Sequence, residues 1–227
     1  MDGPMRAFSV LFASSFVIVC SWADIQVRTI DLPLTATVNT PAGSPKTATG
    51  TLLFDQYDPS QYSIQNLVLG IDFVASGSGT YLGFSSNQQF GFQTIALTNR
   101  ITSPGGTGSA AATTSWNQSS FVPGNFGSAP FGMPLKNVTG PVVPIDSTEY
   151  GLFQGTGTVT VDVLSTLVTS QSNSLIGGFM SIGQNHIIGT LIAELEPVTP
   201  VPEPATLTVA GMGVIGLLRR RRRKSRG

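Results

Sequence analysis

The sequence predicts an all-β domain, an antiparallel β-sandwich of jelly-roll or immunoglobulin-like type, set between two targeting segments. Three observations predict it. Only 11% of the 227 residues are charged, and the abundance of glycine, serine, threonine and short apolar residues suits strands and turns better than solvent-facing helices. Beyond Asp24 apolar side chains recur at every second position, the period of a strand with one buried face. Clusters of Gly, Pro, Ser and Asn interrupt that alternation often enough to suggest about ten short strands in two sheets.

Residues 26–32 alternate around Val27, Ile30 and Leu32, residues 34–39 continue the pattern, and after a turn cluster at 41–45 a strand rises over 47–54. Asp58-Pro59 then initiates a turn, because proline fixes φ while aspartate can accept from the backbone ahead of it. The clearest strand is 62–74, with Ile64, Leu67, Leu69, Ile71 and Phe73 available to a core. Ser76-Gly77-Ser78-Gly79 punctuates, and strands are expected at 80–84 and 89–97. Residues 103–117 show no periodicity and read as a long surface loop. Five prolines between 121 and 144 exclude a helix and allow short or edge strands such as 135–143. Regular alternation returns at 150–167. Residues 175–182 and 187–195 read as a closing hairpin turned at Gly183-Gln184-Asn185. No helix longer than a turn is expected in the body.

The two ends have a different character. Arg6, an apolar run over 7–20 and the small residues of Ser21-Trp22-Ala23 have the layout of a secretory signal, with residues 1–23 removed by cleavage between Ala23 and Asp24 and Met5 an alternative start. Cys20 leaves with that segment, so no disulfide is available to the exported body, residues 24–197. The formal net charge of +0 hides an asymmetry, because seven of the 12 basic residues lie between Arg219 and Arg226. Residues 24–200 carry ten acidic and four basic side chains, a net charge of about −6. Such a body does not suit a nucleic-acid backbone.

Residues 198–227 form the second targeting segment. Pro200, Pro202 and Pro204 stiffen an extended spacer. The apolar run that follows, residues 205–218, is shorter than the ~20 residues of a comfortable helical span. Arg219, Arg220, Arg221, Arg222, Arg223 and Lys224 then act as a stop on the cytoplasmic side and can snorkel to lengthen a transmembrane helix. Together these features suggest transient residence in the inner membrane. Val201-Pro202-Glu203-Pro204-Ala205, the apolar stretch and the arginine block resemble the PEP-CTERM sorting signal. That resemblance implies recognition and processing by an exosortase, followed by delivery to the cell surface or an exopolysaccharide matrix. Leu53-Phe54-Asp55, Tyr57-Asp58-Pro59-Ser60, the strand 64–73 and Phe153-Gln154-Gly155-Thr156-Gly157-Thr158-Val159 are similar to choice-of-anchor E domains, a resemblance that implies no particular activity.

Residues that could carry chemistry are few. His186 is the sole histidine; it suits a structural role or a turn, and it cannot assemble a zinc site alone. With no cysteine left in the body and no nucleophile–base pattern, the chain reads as non-enzymatic. Asp55 and Asp58 could offer hard oxygen ligands to calcium, or a carboxylate pair to a glycoside hydrolase, although an Asp-x-Asp-x-Asp-Gly loop is missing. Phe84, Phe90, Phe92, Phe121, Phe126 and Phe131 are expected in the core. Trp116, in a polar stretch, is the candidate for stacking on sugar rings and gives the alternative reading of a carbohydrate-binding module.

Overall fold

The computed structural model describes residues 22–38, 45–171 and 175–198. Its strands are β1 (Trp22–Asp31), β2 (Leu34–Val38), β3 (Lys46–Asp55), β4 (Tyr62–Gly83), β5 (Gln89–Thr102), β6 (Ser109–Val122), β7 (Ser128–Pro144), β8 (Thr158–Gln171) and β9 (Ile176–Pro197), with a 3-10 helix over Ser147–Phe153. One sheet has the order β1-β9-β4-β7, with β2 extending β1 along the edge of β9; the other has the order β3-β8-β5-β6. All ladders between named strands are antiparallel. If β1 and β2 count as one strand broken at Leu32-Pro33, the pairs β1/β2–β9, β3–β8, β4–β7 and β5–β6 nest inside one another. This is the rolled hairpin of a jelly roll.

The core lies between the sheets. Leu67, Leu69, Ile71 and Phe73 from β4 meet Ile95, Leu97 and Ile101 from β5 and Val161, Val163 and Leu167 from β8, all within 2% exposure. Full burial of one such side chain contributes about 1.5–3 kcal/mol, so this layer supplies much of the fold's driving force. A smaller cluster of Tyr81, Val122, Ala129 and Ile176 closes the end of the sandwich remote from residues 22 and 198. There the rings of Tyr81 and Phe131 lie 4.6 Å apart, and burial pushes the Tyr81 hydroxyl up to about 12.

The structure changes several expected elements. Residues 109–117 are not loop but the first part of β6: Ala110, Ala112, Thr114 and Trp116 point inward and alternate with outward Ala111, Thr113, Ser115 and Asn117. Inward residues that small are needed where the sheets approach closely, since a Cβ on Gly140 of β7 would meet the Ala112 methyl. Only residues 103–108 form the connection. The expected hairpin at 183–185 is also absent, and β9 runs through it. Gly183-Gln184 marks a register shift, Ser76 facing Gln184 while Ser78 faces Ser181, so the turn residues signal a bulge. Ser76–Gly79 sits at the same irregularity, and β4 continues through it without a break. The 3-10 helix, seven residues long, exceeds the single turn expected and takes over residues read as the start of β8. β7 is an edge strand, as its prolines require. Residues 1–21 of the signal segment and the C-terminal apolar run lie outside the described residues; among the described residues no helix is long and apolar enough to cross a membrane.

Candidate functional site

Both described ends of the body leave from one pole. Trp22 opens β1 opposite Leu195, β9 ends at Pro197 beside Tyr62, and the Val198 N–H donates to Gln61 O at 2.8 Å. Ala23 and Asp24, the expected cleavage pair, lie within β1 opposite Glu194 and Ala193. The Asp24 carboxylate accepts from the Tyr57 hydroxyl at 2.9 Å. Burial first, and this bond second, hold the Tyr57 hydroxyl well above its ordinary range, so it serves as a donor and not as a base. Gln26 donates to Asp55 O at 3.1 Å and accepts from Asp55 N at 2.7 Å. Arg28 Nη2 lies 2.7 Å from the Asp55 carboxylate. Alternate residues of β1 therefore latch the edge of one sheet to β3 of the other, as their shared strand face requires.

Asp55 and Asp58, expected as carboxylate partners, are engaged separately. Asp55 faces Arg28, whereas Asp58 accepts from the Ser60 hydroxyl at 2.7 Å, the Ser60 N–H at 2.9 Å and the Gln61 amide at 3.3 Å. The Ser60 donors hold the Asp58 carboxyl below its usual value; this is the turn chemistry its Asp-Pro step announces. Among the described residues no three His, Cys, Asp or Glu side chains gather as metal ligands. His186 stands opposite Asp31 across the β1–β9 ladder, with Nδ1 2.8 Å from the carboxylate.

Glu149, which sequence reasoning passed over, is a buried carboxylate at the same pole, 4% exposed. It accepts from Thr107 N at 2.6 Å and Gly105 N at 3.1 Å, and so fixes the β5–β6 connection over the 3-10 helix. Burial opposes its charge, but the donors from Thr107, Ser103 and Gly105 outweigh burial and hold the carboxyl below its usual value. Asp146 caps that helix by accepting from Thr148 N at 2.9 Å. The only sequence hint was spacing: Asp146 and Glu149 stand as N-cap and N3 of a short turn.

The aromatic residues exchange roles. Trp116, expected exposed in a loop, is 2% exposed inside the sandwich and donates its indole N–H to Pro134 O at 2.9 Å, so it presents no face to a sugar. The phenylalanines expected in the core are on the surface: Phe84 53%, Phe90 51%, Phe92 41%, Phe121 64% and Phe126 79% exposed. Phe131 alone of that group is partly buried and packs on the core. The inward alternate positions of β5 belong to Gly91, Gln93 and Ile95, which turns Phe90 and Phe92 outward. These exposed rings belong to the pole opposite residues 22 and 198.

The chain is similar to solved structures only at a low level. A structure of infectious bursal disease virus Gx strain shares 12% identity at a TM-score of 0.21, covering 90% of this chain and 48% of that one. A VP2 subviral particle of the same virus shares 15% at 0.25, covering 96% and 54%. A CocE/NonD family hydrolase from Staphylococcus aureus shares 9% at 0.20, covering 74% and 37%. The chain thus spans about half the length of the viral chains it matches or less of the hydrolase, and likenesses this distant carry no argument about its function. No curated protein matches it. Residues 200–223 match the PEP-CTERM protein-sorting motif, which implies an exported protein with a C-terminal membrane-associated sorting signal that an exosortase processes.

Proposed function

We propose that this chain is a non-enzymatic exported protein of choice-of-anchor type, held transiently in the inner membrane and released by an exosortase to the cell surface or extracellular matrix, where its body associates with exopolysaccharide. The observation that supports this reading best is the junction between body and signal. Among the described residues the last backbone bond, Val198 N to Gln61 O, precedes the sorting motif at 200–223 by a single residue. The processing element therefore follows directly on the end of β9 at Pro197, which suits its reading by a membrane protease. The non-enzymatic part rests on the carboxylates: Asp55 is neutralised by Arg28, and Asp58 is committed to its own turn.

Intact-mass measurement of the exported protein, made with an exosortase and with an inactive one, tests the reading. The expected product lacks residues 219–226, and Glu203→Ala with Pro202→Ala leaves the precursor uncut in the membrane fraction. Recovery of exported protein that still carries the arginine block would overturn it. A second reading, a carbohydrate-binding module, gains support from the exposed phenylalanines in place of Trp116.

A further inference from the structure

The jelly roll is polarised. Strand directions place residues 22 and 198, the Asp55–Gln61 corner and the Glu149 loop at one pole; the connections 84–88 and 123–127 lie at the other. Charge follows the same axis. Residues 73–99, 101–135 and 163–185 contain no Asp, Glu, Lys or Arg, and the far-pole parts of β4, β5, β6, β7, β8 and β9 fall within them, whereas Lys46 opens β3 on that side. Exposed there are phenylalanine rings set among hydroxyls and carboxamides. Phe90 and Phe121 face each other across the β5–β6 ladder with ring centroids 5.1 Å apart. Asn117 and Ser119 continue the outward row of Phe121 on β6.

The turn beside this platform is held in a costly shape. Asn125 and Phe126 both have positive φ, 56° and 61°, a conformation that crowds Cβ against the backbone and is an outlier for a bulky residue. Asn125 N donates to Ser85 O at 2.8 Å, and Gly83 N donates to Gly127 O at 3.0 Å, so the strained turn is tied to the connection that carries Phe84. The strain leaves Phe126 the most exposed large apolar side chain of the described residues, at 79%. Strain kept where it places a ring in solvent marks a surface used for contact.

We infer that this pole binds a neutral polysaccharide, with Phe121, Phe90 and Phe126 stacking on sugar rings and the neighbouring amides and hydroxyls meeting the sugar hydroxyls. The inference rests on the carbohydrate-binding reading above and assigns its residues. A pyranose ring offers an apolar C–H face and a hydroxyl rim, and so matches alternating rings and amides on one surface. A dry protein interface would instead need a continuous apolar centre. A uronate or phosphate polymer would need cations, and the stretches that carry these rings supply none, Lys46 lying on β3 with β8 between it and β5.

The full chain, in a mild non-ionic detergent, is applied to an array of neutral and uronate oligosaccharides. Binding to neutral chains, lowered roughly tenfold by Phe121→Ala and retained by Phe121→Tyr, supports the site. Phe126→Gly is the decisive companion, because it removes the ring and relieves the strain together: binding falls while the thermal midpoint holds or rises. Neutral-glycan binding untouched by Phe121→Ala and Phe126→Gly overturns this site and leaves the carbohydrate-binding reading standing. No binding to any neutral chain overturns both. Preference for uronates, or a dimer that Phe121→Ala dissolves, also overturns the inference.

Discussion

Asn99 of β5 and Asn185 of β9 join the two sheets through the middle of the core, Asn99 Nδ2 donating to Asn185 Oδ1 at 2.8 Å. Asn185 Nδ2 in turn donates to Leu32 O at 2.9 Å, and the Asn185 carbonyl accepts from Leu32 N at 3.0 Å. Ser165 completes the network by accepting from Asn185 Nδ2 at 3.0 Å. The pair thus pins the break between β1 and β2 to the opposite sheet. Truncating either amide leaves buried partners without a bond, at about 1–3 kcal/mol for each orphaned group. Asn185→Ala strands Leu32 O as well as Asn99 and is expected to cost more than Asn99→Ala in urea unfolding. The double variant should cost less than the sum of the two, because the groups that miss each other are both gone. Additive losses would count against a shared network.

The Glu149 carboxylate makes stability sensitive to acid. Its carboxyl is held below the usual value in the folded protein, so the folded state binds a proton less readily than the unfolded chain. The stabilisation is therefore present above the ordinary glutamate value of about 4.3 and is lost as pH falls through the folded value. Glu149→Gln cannot accept from both Thr107 and Gly105, and is expected to lose about 1–3 kcal/mol at neutral pH. Its stability should then change less than that of the parent chain between about pH 5 and pH 3. Chemical denaturation across that range checks both statements, and parallel pH curves would remove Glu149 as the cause.

Trp116 acts in packing. Trp116→Ala empties a large core position and is expected to cost about 3–5 kcal/mol. Trp116→Phe keeps most of the volume but leaves Pro134 O without the indole donor, for about 1–3 kcal/mol. If Trp116→Phe lowers glycan retention at a temperature where the variant is fully folded, the tryptophan has a role its burial does not explain.

Gly178 stands at a backbone position that a side chain cannot share. Its φ is 149°, and a Cβ there would run into the Thr80 carbonyl of β4. Gly178→Ala is expected to destabilise by about 1–3 kcal/mol and to loosen the start of β9, measured as faster amide exchange at Ile176 and Met180. An unchanged thermal midpoint would show that the β4–β9 ladder yields there without cost.

The sequence alone determined the strand class, the tail and the separation of charge. Period-two alternation at Leu67, Leu69, Ile71 and Phe73 records a one-sided burial that any sheet imposes, and the arginine block needs no fold to be read. It did not reveal β6, because Ala110, Ala112 and Thr114 are small on the inward face and erase the contrast that alternation depends on. It also misread Gly183-Gln184-Asn185, since turn residues serve bulges as well as hairpins. Tertiary structure decided those points, and it decided which aromatic residues face water. Trp116 is buried because the inward face of β6 lands on the opposite sheet, where its indole finds Pro134 O on β7, whereas Phe90 and Phe121 are exposed because Gly91 and Val122 take the inward positions beside them. Burial is settled by which strand faces land on which sheet, and that follows from pairing between residues far apart along the chain.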